Sequence, residues 1–421
     1  MAANNIINVN LFGQEIGRIG IDETGKKSSF QYNPEYLKQT ELQNIFPATG
    51  IIKRTEHVQL FSQFDVDTFK GIPPQFADSL PDMFGSIIFK AWLDSREQKK
   101  ISVLEQLAYV GKRGVGALEY SPVVQLPENV TIDINEIIEI LRQVLDLKKV
   151  TNQNNLDSQA LLNIFKIGTS AGGARPKILI SENKLSGEII PGDLEISDKY
   201  NHYLVKLAKD DNTNYPREII EYCYHLILKK IGIRMMDSKL IDHQHFATLR
   251  YDRKEGKKKH VLTATGITGW DFKDPSHSSY ENLFKLCSFL KIPHVQIVEL
   301  FKRMVFNIIY RNTDDHLKNH SFIYNMDEDS WDLSPAYDIT YALNPLVSFK
   351  KVKRALSING KRSNIDIHDV LKIADDYTIS NPKGMVREIQ SYKKELLKLF
   401  VEHDVSQNVS NGISNSIIQL M

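Results

Sequence analysis

Across 421 residues, 53 Lys and Arg stand against 52 Asp and Glu, so no bulk charge draws the chain to nucleic acid or to an anionic membrane surface. Hydrophobic residues at 42% and charged residues at 25% are the proportions of a soluble globular chain, long enough for roughly two to three domains. Cys223 and Cys287 sit in apolar helical patterns and read as buried thiols of a reducing compartment. With no apolar run of about 18 residues and no basic, apolar leader, a cytoplasmic protein without a membrane span is expected.

From the N-terminus, Ile7, Val9, Leu11, Ile16 and Ile19 alternate, with Gly13 and Gly17 as turns, which predicts a small antiparallel sheet extended by Phe30-Gln31-Tyr32. Pro73, Pro74 and Pro81 exclude a regular helix and predict a fixed loop ahead of a helix through Trp92. Gly111 to Tyr120 has the glycines of a phosphate loop. Neither a clear strand nor a capped helix is legible around it, so it reads as a tight turn before a strand. Residues 127–149 are amphipathic and predict a helix or helical pair, and the polar stretch 152–158 is the expected end of an N-terminal domain.

A helix over 156–165 then leads into Gly168-Thr169-Ser170-Ala171-Gly172-Gly173-Ala174, where small residues let backbone amides turn towards a phosphate before the strand Ile178-Leu179-Ile180. Gly168-x-Ser170-x-Gly172 also spells the nucleophile elbow of serine hydrolases. That motif needs a strand before the serine and a helix after it, and the order here is reversed. Lys177 lacks the neighbours of a P-loop lysine. The strand Tyr203 to Leu207 carries Lys206, either an exposed lysine or one that reaches ATP phosphates. Glu221, on the helix predicted from Glu218 to Gly232, is either solvated or the partner of Lys206. Phe246 to Arg253 reads as a further strand and Lys257-Lys258-Lys259 as a hairpin tip.

Ile297, Leu300, Phe301, Met304, Val305 and Ile308 recur at helical spacing and predict a buried helix to Tyr310. The polar octet Asn312-Thr313-Asp314-Asp315-His316-Leu317-Lys318-Asn319 follows as a loop on a rigid platform. Asp314 and Asn319 are five residues apart, the spacing of a protein-kinase catalytic loop, in which the Asp receives a hydroxyl proton and the Asn holds magnesium. A short strand, Ser321 to Tyr324, precedes a second carboxylate, Asp338, suited to the same metal. The basic set Lys350, Lys351, Lys353, Arg354, Lys361 and Arg362 reads as a solvated hairpin, with an acidic substrate or DNA as the alternative.

In this order the parts resemble the HipA-type serine/threonine kinases, toxins of bacterial HipBA toxin–antitoxin pairs. The matching segments are Phe64 to Gly85, Gly114 to Pro122, Thr169 to Ile180, Tyr203 to Leu207, Phe246 to Arg253, Phe306 to Phe322 and Leu333 to Thr340. The resemblance implies an α+β, two-lobed, protein-kinase-like fold. Its parts would be an N-terminal α/β subdomain (1–150), a nucleotide-facing part with the Gly-rich loop (151–255) and a helical C-terminal kinase domain with the catalytic loop (256–421). It implies Asp314 as catalytic base, Asn319 and Asp338 as Mg2+ ligands and Lys206, with Glu221, at the ATP phosphates. Ser170 would be the autophosphorylated serine, flanked by Gly172 and Gly173 at the nucleotide, and Tyr251 would lie at the adenine. It also implies ATP and Mg2+ as cofactors and a HipB-like DNA-binding antitoxin as partner, with DNA reached only through that antitoxin. The substrate would be a protein, an aminoacyl-tRNA synthetase being the family's precedent. The doubled Asp314-Asp315 departs from the pattern. Spacing to Asn319 assigns the base to Asp314 and leaves Asp315 as a loop cap. A kinase-fold regulator in an antitoxin–DNA complex and a small-molecule kinase are the other readings of the same parts.

Overall fold

The computed structural model describes residues 5–47, 49–80, 101–123, 176–192, 197–208, 215–347 and 352–421. Strands β1 (Ile6–Leu11) and β2 (Gln14–Ile21) realise the N-terminal alternation, joined by a turn in which Gly13 takes φ +82°. Ile7, Val9 and Leu11 all face the core, as a period of two requires. With β3 (Ser28–Tyr32), β4 (Gln59–Phe61) and β5 (Leu118–Ser121) they form an antiparallel sheet in the order β4-β3-β2-β1-β5. Gly17, expected as a turn, is instead mid-strand opposite Val9. A Cβ there would meet the Gln31 carbonyl oxygen at 2.4 Å, so close strand approach, not turning, requires the glycine.

Phe30 anchors an aromatic cluster on this sheet, its ring centroid 4.9 Å from Tyr32 and 5.1 Å from Phe76. Phe76 comes from the proline-rich stretch, which holds one helical turn, Pro74–Ala77. Pro74 fits the first position because the missing N–H has no helical partner there. The helix expected through Trp92 and those over 127–149 and 156–165 lie outside the described residues.

The Gly111–Tyr120 segment does have a capped helix before it. Ser102 and Glu105 close a capping box on the helix Val103–Val110, and Gly111 ends it at φ +53°. Helix, turn, strand is the reverse of a phosphate loop's order, so the reading as a turn into β5 stands on better grounds than the sequence offered. Side chains hold this turn. Asp252 accepts from the Gly116 amide at 2.7 Å, and Arg250 and Arg253 donate to the Gly114 carbonyl at 3.2 and 2.9 Å. Burial opposes the charge of Asp252, but the Arg250 and Arg253 guanidiniums outweigh it and hold the carboxyl well below its ordinary range.

Two compact units divide the chain: residues 1–207 with 248–262 and 266–269, and residues 208–247 with 263–265 and 270–421. The first also holds β6 (Lys177–Asn183), β7 (Ile189–Pro191) and β8 (Tyr200–Lys206), antiparallel with β6 between the other two. The second is mainly helical. Its helix His294–Ile309 buries Leu300, Phe301, Met304 and Val305 completely and Ile308 almost so, as the periodicity predicted, and Phe306 and Ile309 besides. Tyr224, from the helix Arg217–Lys230, packs edge-on against Phe306 and donates its hydroxyl to the Tyr310 carbonyl at 2.9 Å. The C-terminal helices Ile367–Asp376, Pro382–Ser391, Lys393–Glu402 and Gln407–Ser416 complete the unit. Cys223 and Cys287 are buried free thiols, and burial pushes both up to about 12. Among the described residues no helix is long and apolar enough to cross a membrane.

Three buried histidines set a pH dependence. Burial pushes His225 and His320 in the second unit and His260 in the first down from 6.5 to about 4. Between those values the unfolded chain binds more protons than the folded one, so stability is full above pH 6.5 and falls with pH through that window. The slope contributed is at most roughly 4 kcal/mol per pH unit for the three. Urea unfolding at pH 7.5 and pH 5 should show the loss; equal midpoints would contradict the buried, neutral state of the rings.

Candidate active site

The helix His294–Ile309 ends because Arg311 turns left-handed at φ +59°, and the polar octet leaves from that corner. Within the octet the two adjacent aspartates part company. Asp314 projects into solvent with its side chain 75% exposed, 3.9 Å from His316 Nε2. Asp315 is buried, pairs with the Arg354 guanidinium and accepts from the Tyr280 hydroxyl at 2.6 Å and the Leu356 amide at 3.4 Å. Asp315 is therefore no mere loop cap; it ties the loop to a segment some 39 residues later. The Thr313 carbonyl strengthens that tie by accepting from the Ala355 amide at 2.8 Å.

The Asn319 Nδ2 donates to the Asp314 carbonyl at 2.8 Å, which commits the nitrogen and leaves the amide oxygen to face elsewhere. Asn319 and Asp338 line one small pocket, together with Arg303, Asn307, Asn312, Asp315 and His320. Asp338 reaches it from a left-handed backbone conformation, φ +53°, which Asp tolerates better than most residues. The strand before it, Ser330–Leu333, pairs with Ser321–Asn325 and is pinned to the buried helix by Gln296, which accepts from the Leu333 amide at 2.7 Å. Arg303, ion-paired with Glu299, donates to the Ser334 carbonyl at 2.6 Å. Burial pushes the His320 imidazole down to about 4, so it is neutral at pH 7.

The remaining expected site residues fall as follows. Lys206, on β8 in the first unit, is buried rather than solvated. It stands directly opposite Lys177 in the β6–β8 register, which puts both ammonium-bearing chains on one face of the sheet. Lys177, whose sequence neighbours exclude a P-loop lysine, meets Lys206 only through the strand register. Glu221, in the second unit, is also buried. Tyr251 does not lie in a continuous strand: the strand His245–Leu249 stops short, and Arg250, Tyr251 and Asp252 form the turn before Arg253–Lys254. The buried charges of that turn stop the strand, because they must fold back on one another. Ser170, Gly172 and Gly173 lie outside the described residues.

The basic set does turn back as a hairpin, Ile358 bridging Lys361, with Lys353 and Lys361 exposed, but it is not solvated throughout. Arg354 is buried on Asp315, Lys361 pairs with Asp369 at 2.9 Å, and Arg362 donates to the Pro275 and Ser278 carbonyls. Lys350 and Lys351 lie outside the described residues. Nor do His, Cys, Asp and Glu gather in groups of three or more as a metal cage among the described residues. Two oxygen-bearing side chains on one pocket do suit a hard cation that keeps water and substrate oxygens as its other ligands.

Comparison with known proteins places these features. The chain matches the HipA N-terminal domain over residues 7–121 and the HipA-like C-terminal domain over residues 169–398. Among solved structures it is similar to a chain of the complex of the toxin–antitoxin system HipA, HipB and its operator DNA from Shewanella oneidensis MR-1. The TM-score is 0.63 at 15% identity, over 97% of this chain and 94% of that one. The Helicobacter pylori proinflammatory kinase CtkA matches at a TM-score of 0.37 and 10% identity, over 51% of this chain and 82% of that one. No curated protein matches. The expected α+β fold of the HipA type is borne out.

The contrast between the two aspartates is measurable. Asp315→Ala and Arg354→Ala should each destabilise the protein by about 3–5 kcal/mol, because each strands a buried charge. Asp314→Ala should shift stability by no more than about 0.5 kcal/mol, as its side chain is exposed. Chemical denaturation of the three variants checks this; equal losses for the neighbouring aspartates would contradict the assigned burial.

Proposed function

The chain belongs to the HipA family, and we propose that it is an ATP- and Mg2+-dependent serine/threonine protein kinase, the toxin partner of a HipB-like DNA-binding antitoxin. The observation that carries this reading is the division of labour in one loop: Asp314 exposed, Asn319 turned by its bond to the Asp314 carbonyl, and Asp338 on the same pocket as Asn319. The HipA complex of similar fold was solved with HipB and operator DNA, which supports an antitoxin that brings this chain to DNA. The balanced charge of the chain agrees with indirect contact.

Phosphoryl transfer needs placement and charge neutralisation more than covalent help from the protein. Asp314, in solvent reach, orients the acceptor hydroxyl and receives its proton as the oxygen bonds to phosphorus and ADP departs. Asn319 and Asp338 hold the magnesium ion, whose charge offsets that of the phosphates when bound. Lys206, which stands opposite Lys177 on the sheet of the first unit, presents positive charge to nucleotide phosphates. The buried Asp315–Arg354 pair keeps the loop in place while these groups act.

Two experiments test this reading. Asp314→Ala should lower phosphate transfer from labelled ATP by at least about a hundredfold, whereas its melting temperature stays that of the wild type. Unchanged transfer would remove Asp314 as base. Incubation with ATP and magnesium, followed by peptide mass spectrometry, should locate phosphate on Ser170, and phosphorylated protein should bind ATP more weakly because the added charge repels the nucleotide. Phosphate on Thr169 alone would refute the choice of serine.

A further inference from the structure

A directed chain of hydrogen bonds runs from Asp315 into the pocket. The Asp315 carboxylate, paired with the Arg354 guanidinium, accepts from the Tyr280 hydroxyl at 2.6 Å. The Tyr280 oxygen then accepts from Asn307 Nδ2 at 3.0 Å, and Asn307 Oδ1 accepts from Asn312 Nδ2 at 3.0 Å. Every amide in the chain is thereby oriented, and Asn312 Oδ1 is left as an acceptor, buried and without a partner among the described residues. A second polar atom is left in the same way: His320 Nε2 is buried and, among the described residues, without a partner.

Both residues are more than nine-tenths buried, and both line the pocket of Asn319 and Asp338. Two buried polar atoms on residues that line one pocket call for a partner, and Arg303, which also lines it, gives hydrogens to Glu299 and to the Ser334 carbonyl. We infer that Asn312 Oδ1 and His320 Nε2 receive the hydrogens of a water molecule coordinated to the divalent cation held by Asn319 and Asp338. This rests on the assignment of those two residues as metal ligands. Magnesium sheds its water reluctantly and usually keeps several molecules, and a coordinated water is a stronger donor than a free one. Asn312 and His320 are then outer ligands that select a hydrated, hard cation. Asp315 acts through them as a positioning residue.

The test uses the full chain with a non-hydrolysable ATP analogue and Mn2+ in place of Mg2+, free Mn2+ being read by electron paramagnetic resonance. Asn312→Ala and His320→Phe should each weaken Mn2+ retention about tenfold, the lower end of outer-ligand effects. Unchanged retention in both weakened variants overturns the inference. So does a nitrogen hyperfine coupling to Mn2+ in the wild type that His320→Phe removes, for the ring would then bind the ion directly. Where those variants do not fold, pulsed measurements on the wild type decide: proton couplings of a bound water support the inference, and their absence overturns it. A wild type that holds Mn2+ no better than Asp338→Asn would sink the ligand assignment of Asp338, and this inference with it.

Discussion

The second unit depends on one buried ion pair. Taking the Asp315 carboxylate and the Arg354 guanidinium out of water costs several kcal/mol for each ion, a loss their attraction offsets only when the remaining lone pairs are also satisfied. Tyr280 and the Leu356 amide satisfy them here. Such a pair contributes little net stability, but it permits one arrangement and penalises the rest. Asp315 turned inward leaves Asp314 outward. It fixes which atoms of Tyr280, Asn307 and Asn312 donate, and it brings residues 354–356 against the loop.

Local periodicity made much of the framework legible. The alternation of β1 and β2, the strand around Ile178–Ile180, and the buried stripe of His294–Ile309 are each patterns of near neighbours, and each appeared where the residues demanded. So did the loop carrying Asp314 and Asn319 on the end of that helix. One local signal was overlooked: Ser102-Val103-Leu104-Glu105 spells a capping box, and it starts a helix.

The misreadings share a cause. Arg354 reads as one of a solvated set, and Arg250 to Arg253 as the end of a strand, because the partners that bury them are not near in sequence. The partner of Arg354 lies 39 residues upstream, and the Gly114 carbonyl is separated from Arg250 by 136 residues. No spacing rule spans such distances. The facing of Lys177 and Lys206 is hidden for the same reason, because strand register depends on the loop between the strands.

The Gly111–Tyr120 turn shows how a familiar pattern can be turned to another purpose. In a phosphate loop, glycine amides stand ready for an oxyanion brought by a ligand. In this chain the Gly116 amide is already engaged by the Asp252 carboxylate, itself clasped by two arginines. The protein thus supplies its own anion to the glycine turn. A motif that elsewhere marks the seat of a nucleotide serves here as an internal latch, closed by a carboxylate that has no exchangeable counterpart in solution.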